Sequence, residues 1–440
     1  MEKFQKWQNC AEECLSEICF SALWESFHDI IGNYIRLQME EGKVIMKLTE
    51  ERKAEVLALC KKLISNRSYS GEEDAVAGAL KYFMRQKKFD DFFTDQYGNV
   101  VGGIKGDRPG NKVLFDGHMD TVPADNKAAW KHDPFVPVVE DGRLYGRGTS
   151  DMKGAVAAFF CAAAYFMEDH GKNFAGEVYT AGVVHEECFE GVAARSISEL
   201  VRPDYVVIGE ASELNIKTGQ RGRAEIILET FGKAAHSANP EKGINAVKKM
   251  CRLIGEMDKL QPPVHGHLGK GILEVTDIIS SPYPGASVVP EYCRATLDRR
   301  LLTGETRESV LAPIQELIRQ LEKEDPEFSA KASFSVGSEK CYTDEEIQGE
   351  RFFPGWYYDP KEDYIQKILK KVREAGYDPK LTQYSFCTNG SHYAGEKGIP
   401  TIGLGPSRED LAHTVDEYVE LDQLYGAVEC YYAVMEALLL

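Results

Sequence analysis

Acidic and histidine residues recur along this chain where an apolar run has just ended. His118 and Asp120 follow Val113-Leu114-Phe115, Glu186 and Glu187 follow the run from Val178 to Val184, and Glu210 follows Tyr205 to Ile208. Asp151 and His413 complete the set. Imidazole and carboxylate are ligands that borderline-soft zinc takes, with one position left for water when the site is catalytic. Two metal ions about 3.5–4 Å apart need one bridging ligand and further protein ligands each. The set meets that count: His118 and Glu210 could hold one ion, Glu187 and His413 the other, with Asp151 bridging both. Asp120 stands two residues from His118, on the same side of an extended strand end. Its carboxylate is expected to accept a hydrogen bond from His118 and so fix the imidazole tautomer. The side chains of Glu186-Glu187 diverge, so one can ligate while the other faces the substrate as a general base. Taken singly, each piece has a bland explanation: polar surface, a solvated turn, a helix cap. The combination, and its shared place after apolar runs, carries the reading.

The elements that must position these residues alternate. From about residue 50 to 215, continuous apolar strands are separated by helical patterns, which implies a mainly parallel sheet covered on both faces by helices. Chemistry in such sheets sits just beyond the carboxyl ends of the strands. From about residue 217 to 335 the pattern changes. Ala224–Phe231, Gly271–Ile279, Tyr292–Leu301 and Ala332–Val336 read as strands, Asn245–Leu260 and Thr306–Lys323 as helices. That order, β-α-β-β-α-β, is a ferredoxin-like insert. The expected organisation is therefore an α/β catalytic domain over 46–216 and 336–440, interrupted by a lid over 217–335. Residues 1–45, crowded with Cys10, Cys14, Cys19, Trp7 and Trp24, read as an N-terminal extension, or as a misassigned start ahead of Met46.

Composition narrows the function classes. The chain has 440 residues, too long for one core, and a net charge of −18 that on average repels a phosphate backbone, so no nucleic-acid partner is expected. No apolar run approaches the roughly 20 residues that cross a bilayer. The start has no basic region leading into an apolar core, so a cytoplasmic place, no membrane partner and reduced thiols for the 11 cysteines are expected.

The segments Leu114-Phe115-Asp116-Gly117-His118-Met119-Asp120-Thr121-Val122-Pro123 and Tyr145-Gly146-Arg147-Gly148-Thr149-Ser150-Asp151-Met152-Lys153-Gly154 resemble the acetylornithine deacetylase / succinyl-diaminopimelate desuccinylase / aminoacylase-1 family of dinuclear zinc peptidases and amidohydrolases. His185-Glu186-Glu187, Gly209-Glu210-Ala211, Ala235-His236-Ser237 and Ala412-His413-Thr414-Val415-Asp416-Glu417 match in the same order. The likeness is strongest to a subgroup of selenium-metabolism-linked hydrolases. The resemblance implies that His118, Asp151, Glu187, Glu210 and His413 ligate two Zn2+ per subunit, with Co2+ able to substitute. It implies that Glu186 is the general base and that Asp120 orients His118. It implies a homodimer through the lid, with His236 reaching the partner's site to stabilise the oxyanion, and Arg300 binding a substrate carboxylate.

Two departures bear on the substrate. The lid reads Ser287-Val288-Val289-Pro290 where the family often has Asn-Val-Ile-Pro, and Asn389-Gly390-Ser391-His392 stands where it often has Asp-Gly-Arg. Loss of that arginine removes a bidentate carboxylate clamp, and Asn389 is taken as a substrate-binding residue in its place. The expected activity is metal-dependent hydrolysis of the amide bond of a small N-acyl amino acid. A dipeptidase or carboxypeptidase on the same scaffold is the alternative. A metal-dependent binding protein without turnover would need a broken site, and Glu186 is present.

Overall fold

The computed structural model describes residues 46–440; the extension expected over residues 1–45 lies outside them. The large sheet uses nine strands: β1 (Asp91–Thr94), β2 (Val100–Lys105), β3 (Arg108–His118), β4 (Ala175–Val183), β5 (Tyr205–Ile208) and β6 (Ile216–Gln220), then, after the lid, three more. The lid contributes β7 (Gly222–Phe231), β8 (Ile272–Ser281), β9 (Tyr292–Leu301) and β10 (Ala330–Phe334). The large sheet is then completed by β11 (Trp356–Tyr357), β12 (Leu381–Tyr384) and β13 (Thr401–Gly403), in the order β1-β2-β4-β3-β5-β13-β6-β11, with β12 also on β6.

Its middle is parallel, as expected: β4 with β3, β3 with β5, and β5 with β13. Toward both edges antiparallel pairs appear, with β12 parallel to β6, so the whole sheet is mixed. At one edge the reason is local. Asp95 Oδ1 accepts from the N–H groups of Tyr97, Gly98 and Asn99, and Gly98 has φ +103°, a tight turn that permits only a hairpin. Helix α1 (Lys153–His170) is alanine-rich and buried from Lys153 to Phe166. Small residues on all sides let it lie under the sheet and beneath the C-terminal helix α2 (Leu421–Leu439). Among the described residues, no helix is long and apolar enough to cross a membrane.

The lid strands run in the antiparallel order β8-β9-β7-β10, the ferredoxin-like arrangement. The lid has its own core, in which Ile226, Leu228, Met250, Leu253, Leu297 and Ile314 are buried. The two sheets exchange the chain later than the sequence pattern suggests. β6 still belongs to the large sheet, and Phe352–Phe353 still pairs with β7. The crossovers therefore fall at Arg221 and around Pro354-Gly355 rather than at 216/217 and 335/336. Alternating strands on either side of a crossover look alike in sequence; pairing partners distinguish them.

Candidate metal centre

Three neighbouring parallel strands deliver the site. β3 ends on His118, β4 runs into the turn His185-Glu186-Glu187, and β5 ends just before Gly209-Glu210. Register sets His118 beside Val183 and Asp116 beside Ile208, so the polar ends emerge together at one edge. Asp151 comes from the loop entering α1 and His413 from the loop before α2, where it takes φ +61°.

Asp151 stands between the two histidines. Its Oδ1 lies 2.9 Å from His118 Nε2, and its Oδ2 lies 3.1 Å from His413 Nε2. On the first side Glu210 Oε1 is 3.5 Å from His118 Nε2; on the second Glu187 Oε2 is 3.1 Å from His413 Nε2. The five residues thus form two donor groups sharing one carboxylate. Ligand atoms of His118, Asp151 and Glu187, and likewise those of His118, Glu186 and Glu210, lie within 4.8 Å of one another. Glu186 Oε1 and Glu187 Oε1 are buried without a hydrogen-bond partner among the described residues. Buried anionic oxygens without donors, next to two imidazoles, fit divalent cations that accept mixed nitrogen and oxygen ligands.

The electrostatics have the same origin. Burial, then the charge of Asp151, pushes the Glu210 carboxyl up to about 8. Burial, reinforced by Glu210, Glu190 and Glu187 against His118, raises Glu186 well above the carboxylate range. Asp151 is buried too, yet its contacts with His118 and His413 outweigh that and hold its carboxyl well below the usual range. Asp151 and Glu187 in turn push His413 up to about 10.

Asp120 does not act through its carboxylate on His118. His118 Nδ1 contacts the Asp120 backbone carbonyl at 2.8 Å, and the nearer carboxylate oxygen stands 3.6 Å away. The carboxylate instead accepts from the backbone N–H of Glu186 and of Glu187, each at 3.2 Å, and from the Ser70 hydroxyl at 2.7 Å. It pins the turn that carries both glutamates while the carbonyl sets the imidazole. Asn389 also departs from expectation. Its amide nitrogen donates to Asp116 Oδ1 at 2.9 Å and its oxygen accepts from the Gly191 N–H at 2.8 Å. One polar end is engaged by a buried side-chain carboxylate and the other by a backbone N–H, and Asn389 is not among the residues that line the site cavity. Asn389 therefore ties the end of β3 to the turn at Gly191.

A cavity of about 440 Å3 opens on the centre, lined by Asp151, Glu186, Glu187, Glu210 and His413, and also by Glu190, Arg223, Arg300, Phe386 and Cys387. Arg300 reaches it as expected. His236 does not line it; it is exposed on the short strand Ala235–His236, paired with Val288–Val289, and its Nδ1 accepts from the Ala238 N–H. Sequence reasoning passed over Arg223, which lies opposite Arg300 across β7 and β9. It also passed over Glu417, at the end of the last motif. Fully buried, Glu417 accepts from Arg147 Nη1 at 2.6 Å and from the N–H groups of Gly148, Ser150 and Asp151. Such a network holds the Asp151 loop in place, the support that ligands to metals commonly have. The carboxylate type was visible at position 417; its partners, some 270 residues away, were not.

The chain is similar to known proteins. The profile described as peptidase family M20/M25/M40 matches residues 114–437. The uncharacterized protein YgeY of Escherichia coli strain K12 is 31% identical over 398 residues, covering 89% of this chain and 96% of its own. The N-formyl-4-amino-5-aminomethyl-2-methylpyrimidine deformylase of Bacillus subtilis strain 168 is 25% identical over 406 residues, covering 86% and 93%. Among solved structures, aminopeptidase PepT of Bacillus cereus shares the fold with a TM-score of 0.69 at 19% identity, over 88% of this chain and 98% of its own. A Bacillus subtilis dinuclear metal-binding peptidase of the M20 family, YXEP, gives 0.64 at 13% identity, over 88% and 99%. The matched span takes in every strand end that carries a candidate ligand, and on it the chain belongs to the peptidase family M20/M25/M40, metal-dependent hydrolases of carbon–nitrogen bonds.

Proposed function

We propose that this enzyme hydrolyses the amide bond of a small N-acyl amino acid or related compound at a dinuclear centre held by His118, Asp151, Glu187, Glu210 and His413. The observation that carries the reading is the split carboxylate of Asp151, one oxygen toward each histidine. Zinc is the proposed resident metal, with cobalt able to substitute; bound there, it would make water more acidic and polarise the scissile carbonyl. Glu186 accepts the proton of the attacking water as the C–O bond forms, then delivers it to the leaving nitrogen as the C–N bond breaks. Arg300, in the cavity wall, receives a substrate carboxylate. A cytoplasmic place is part of the proposal, as is a link to selenium metabolism, which rests on the resemblance alone. The test is a turnover screen of the metal-loaded protein with N-acetyl, N-succinyl and N-carbamoyl amino acids against dipeptides. Release of free amine from an N-acyl substrate is expected at higher kcat/KM than from any dipeptide; the reverse order would favour the peptidase reading.

The proposal includes a homodimer through the lid. Strand β8 is an edge of the lid sheet and exposes Ile272, Ile278 and Ile279. An apolar open edge is a liability in a monomer and suits pairing with a second copy. In such a dimer His236 would donate to the developing oxyanion in the partner's site, a contribution worth about 10²–10³ in rate. Mixing inactive His236→Ala with inactive Glu186→Gln subunits tests this. Donation across the dimer leaves one intact site per mixed dimer, so activity reappears; donation within a subunit leaves a defect in every site. Demonstrated subunit exchange without recovery would sink the assignment.

A further inference from the structure

The turn that carries Glu186 and Glu187 is also gripped from the lid. Between β10 and Phe352–Phe353 the chain makes a hairpin of Val336–Lys340 and Glu346–Glu350. Its root belongs to the lid: the Ser335 N–H donates to the Glu225 carbonyl of β7 at 2.8 Å, and the Arg351 N–H to the Ser335 carbonyl at 2.8 Å. Its tip rests on the catalytic domain, where the Tyr342 hydroxyl donates to the Gly98 carbonyl at 2.7 Å. Between root and tip the hairpin crosses the turn. Gly337 and Gly349 stand directly opposite one another on its two strands. Glycine weakens a strand, and inside one it marks a place where another group comes close. Here the groups are Phe189 and Val192: a Cβ on Gly337 would stand 2.6 Å from the Phe189 ring, and one on Gly349 3.0 Å from Val192. Phe189 is fully buried, with the Arg351 guanidinium 5.3 Å from its ring centroid. Beside it, Glu190 Oε1 accepts from Arg223 Nη1 of β7 at 3.0 Å.

Phe189 closes the turn. Its N–H donates to the His185 carbonyl at 2.9 Å and to that of Glu186 at 3.1 Å, and its own carbonyl accepts from the Val192 N–H at 3.0 Å. His185, where the turn begins, takes φ +54°, a conformation that a residue with a side chain keeps only when its surroundings impose it. Asp120 holds the amides of Glu186 and Glu187, and the hairpin holds the ring three residues beyond Glu186. We propose that Phe189 is a positioning residue: seated against Gly337, it lets the hairpin of the lid fix where Glu186 and Glu187 stand. The roles of those two glutamates, as base and ligand, rest on the function proposed above; the grip of the hairpin on the turn is measured without turnover.

Zinc-loaded protein is compared with its Gly337→Ala, Phe189→Leu and doubly substituted variants. In Gly337→Ala the added methyl must push the buried ring, and the turn with it. Amide hydrogen exchange over residues 185–192 is expected to quicken about tenfold, with the lid core unchanged. Affinity for the second zinc ion, read by chelator competition, should fall about tenfold, the scale of overpacking a core by one carbon. Adding Phe189→Leu, which shortens the side chain that meets the methyl, should return both readings most of the way to those of the unaltered protein. Should Gly337→Ala not fold, Gly349→Ala with Val192→Ala as its relief repeats the test at the neighbouring contact. Exchange and affinity that Gly337→Ala leaves unchanged overturn the proposal, since the hairpin would then merely yield to the ring. So do changes that Phe189→Leu fails to relieve, since they would not run through Phe189. Glu187→Gln is the control for the ligand reading. If it leaves zinc affinity intact, that reading falls, and the exchange of the turn decides on Phe189 alone.

Discussion

Glu186→Gln is expected to keep its fold and its metal content while losing roughly 10²–10⁴-fold in kcat, the range that a positioned general base supplies. The amide fills the same space, so the turn after β4 should hold. That turn is pinned from the backbone, through Asp120, and not through the Glu186 side chain. What the amide cannot do is take a proton. Glu186 is 6% exposed and ringed by Glu187, Glu190 and Glu210, which is why burial and like charges raise its proton affinity so far. The neighbouring change, Glu187→Gln, should behave differently, because Glu187 Oε2 faces His413 within the second donor group. There metal affinity should fall first, and activity should be partly restored by excess zinc. Metal content by mass spectrometry and kcat at saturating zinc separate the two variants. An exchange of phenotypes between them would refute the division of roles.

Stripping the protein with a strong chelator is expected to abolish turnover, and two equivalents of zinc or cobalt per chain to restore it. His413→Ala should hold one ion fewer and lose most of its rate. Full activity in thoroughly stripped protein would defeat the whole metal reading. The dependence of affinity on pH follows from the same side chains. Carboxylate and imidazole ligate only after losing a proton. Burial and Asp151 push Glu210 up to about 8, and the contacts with Asp151 and Glu187 push His413 up to about 10. Near neutrality both groups are largely protonated until a cation displaces those protons. The sign is therefore fixed: binding releases protons, and affinity increases as pH rises. Competition with a chromophoric chelator should show tighter binding at about pH 8 than at about pH 6, and calorimetry in buffers of different ionisation enthalpy should count the protons released. Affinity that is flat or falls over this interval would contradict the ligand set.

Much of the site was legible because its chemistry sits at strand ends. His118, Glu187 and Glu210 each come shortly after a largely apolar run, and such runs are the strongest local signal a sequence has. The lid was legible for a similar reason: strand alternation and helical periodicity are short-range patterns, and Tyr292–Leu301 appears as read. The lid helices read from Asn245 and from Thr306 start there, each residue acting as a cap: Asn245 accepts from the Lys248 N–H and Thr306 from the Ser309 N–H. Arg223 and Arg300 were harder. Arg300 lies in a strand that was read, whereas Arg223 stands one residue ahead of the start read at Ala224, and their standing opposite one another depends on register, which a one-residue slip would reverse.

What the sequence by itself determined is the supply of groups: one imidazole and several carboxylates following apolar strands, with Asp151 and His413 completing the set, ahead of and behind a β-α-β-β-α-β insert. Residue types and local periodicity suffice for that, since both are properties of a dozen neighbouring residues. Only the tertiary structure decided which atom of each group does what. Asp120 presents its carbonyl to His118 and its carboxylate to the backbone of Glu186 and Glu187; Asn389 turns away from the cavity toward Asp116 and Gly191; Glu417 reaches back across the chain to the Asp151 loop. Each of these side chains has several polar atoms that could satisfy the same local pattern. The choice among them goes to whichever buried donor or acceptor would otherwise go unpaired, and, His118 apart, those partners lie tens to hundreds of residues away.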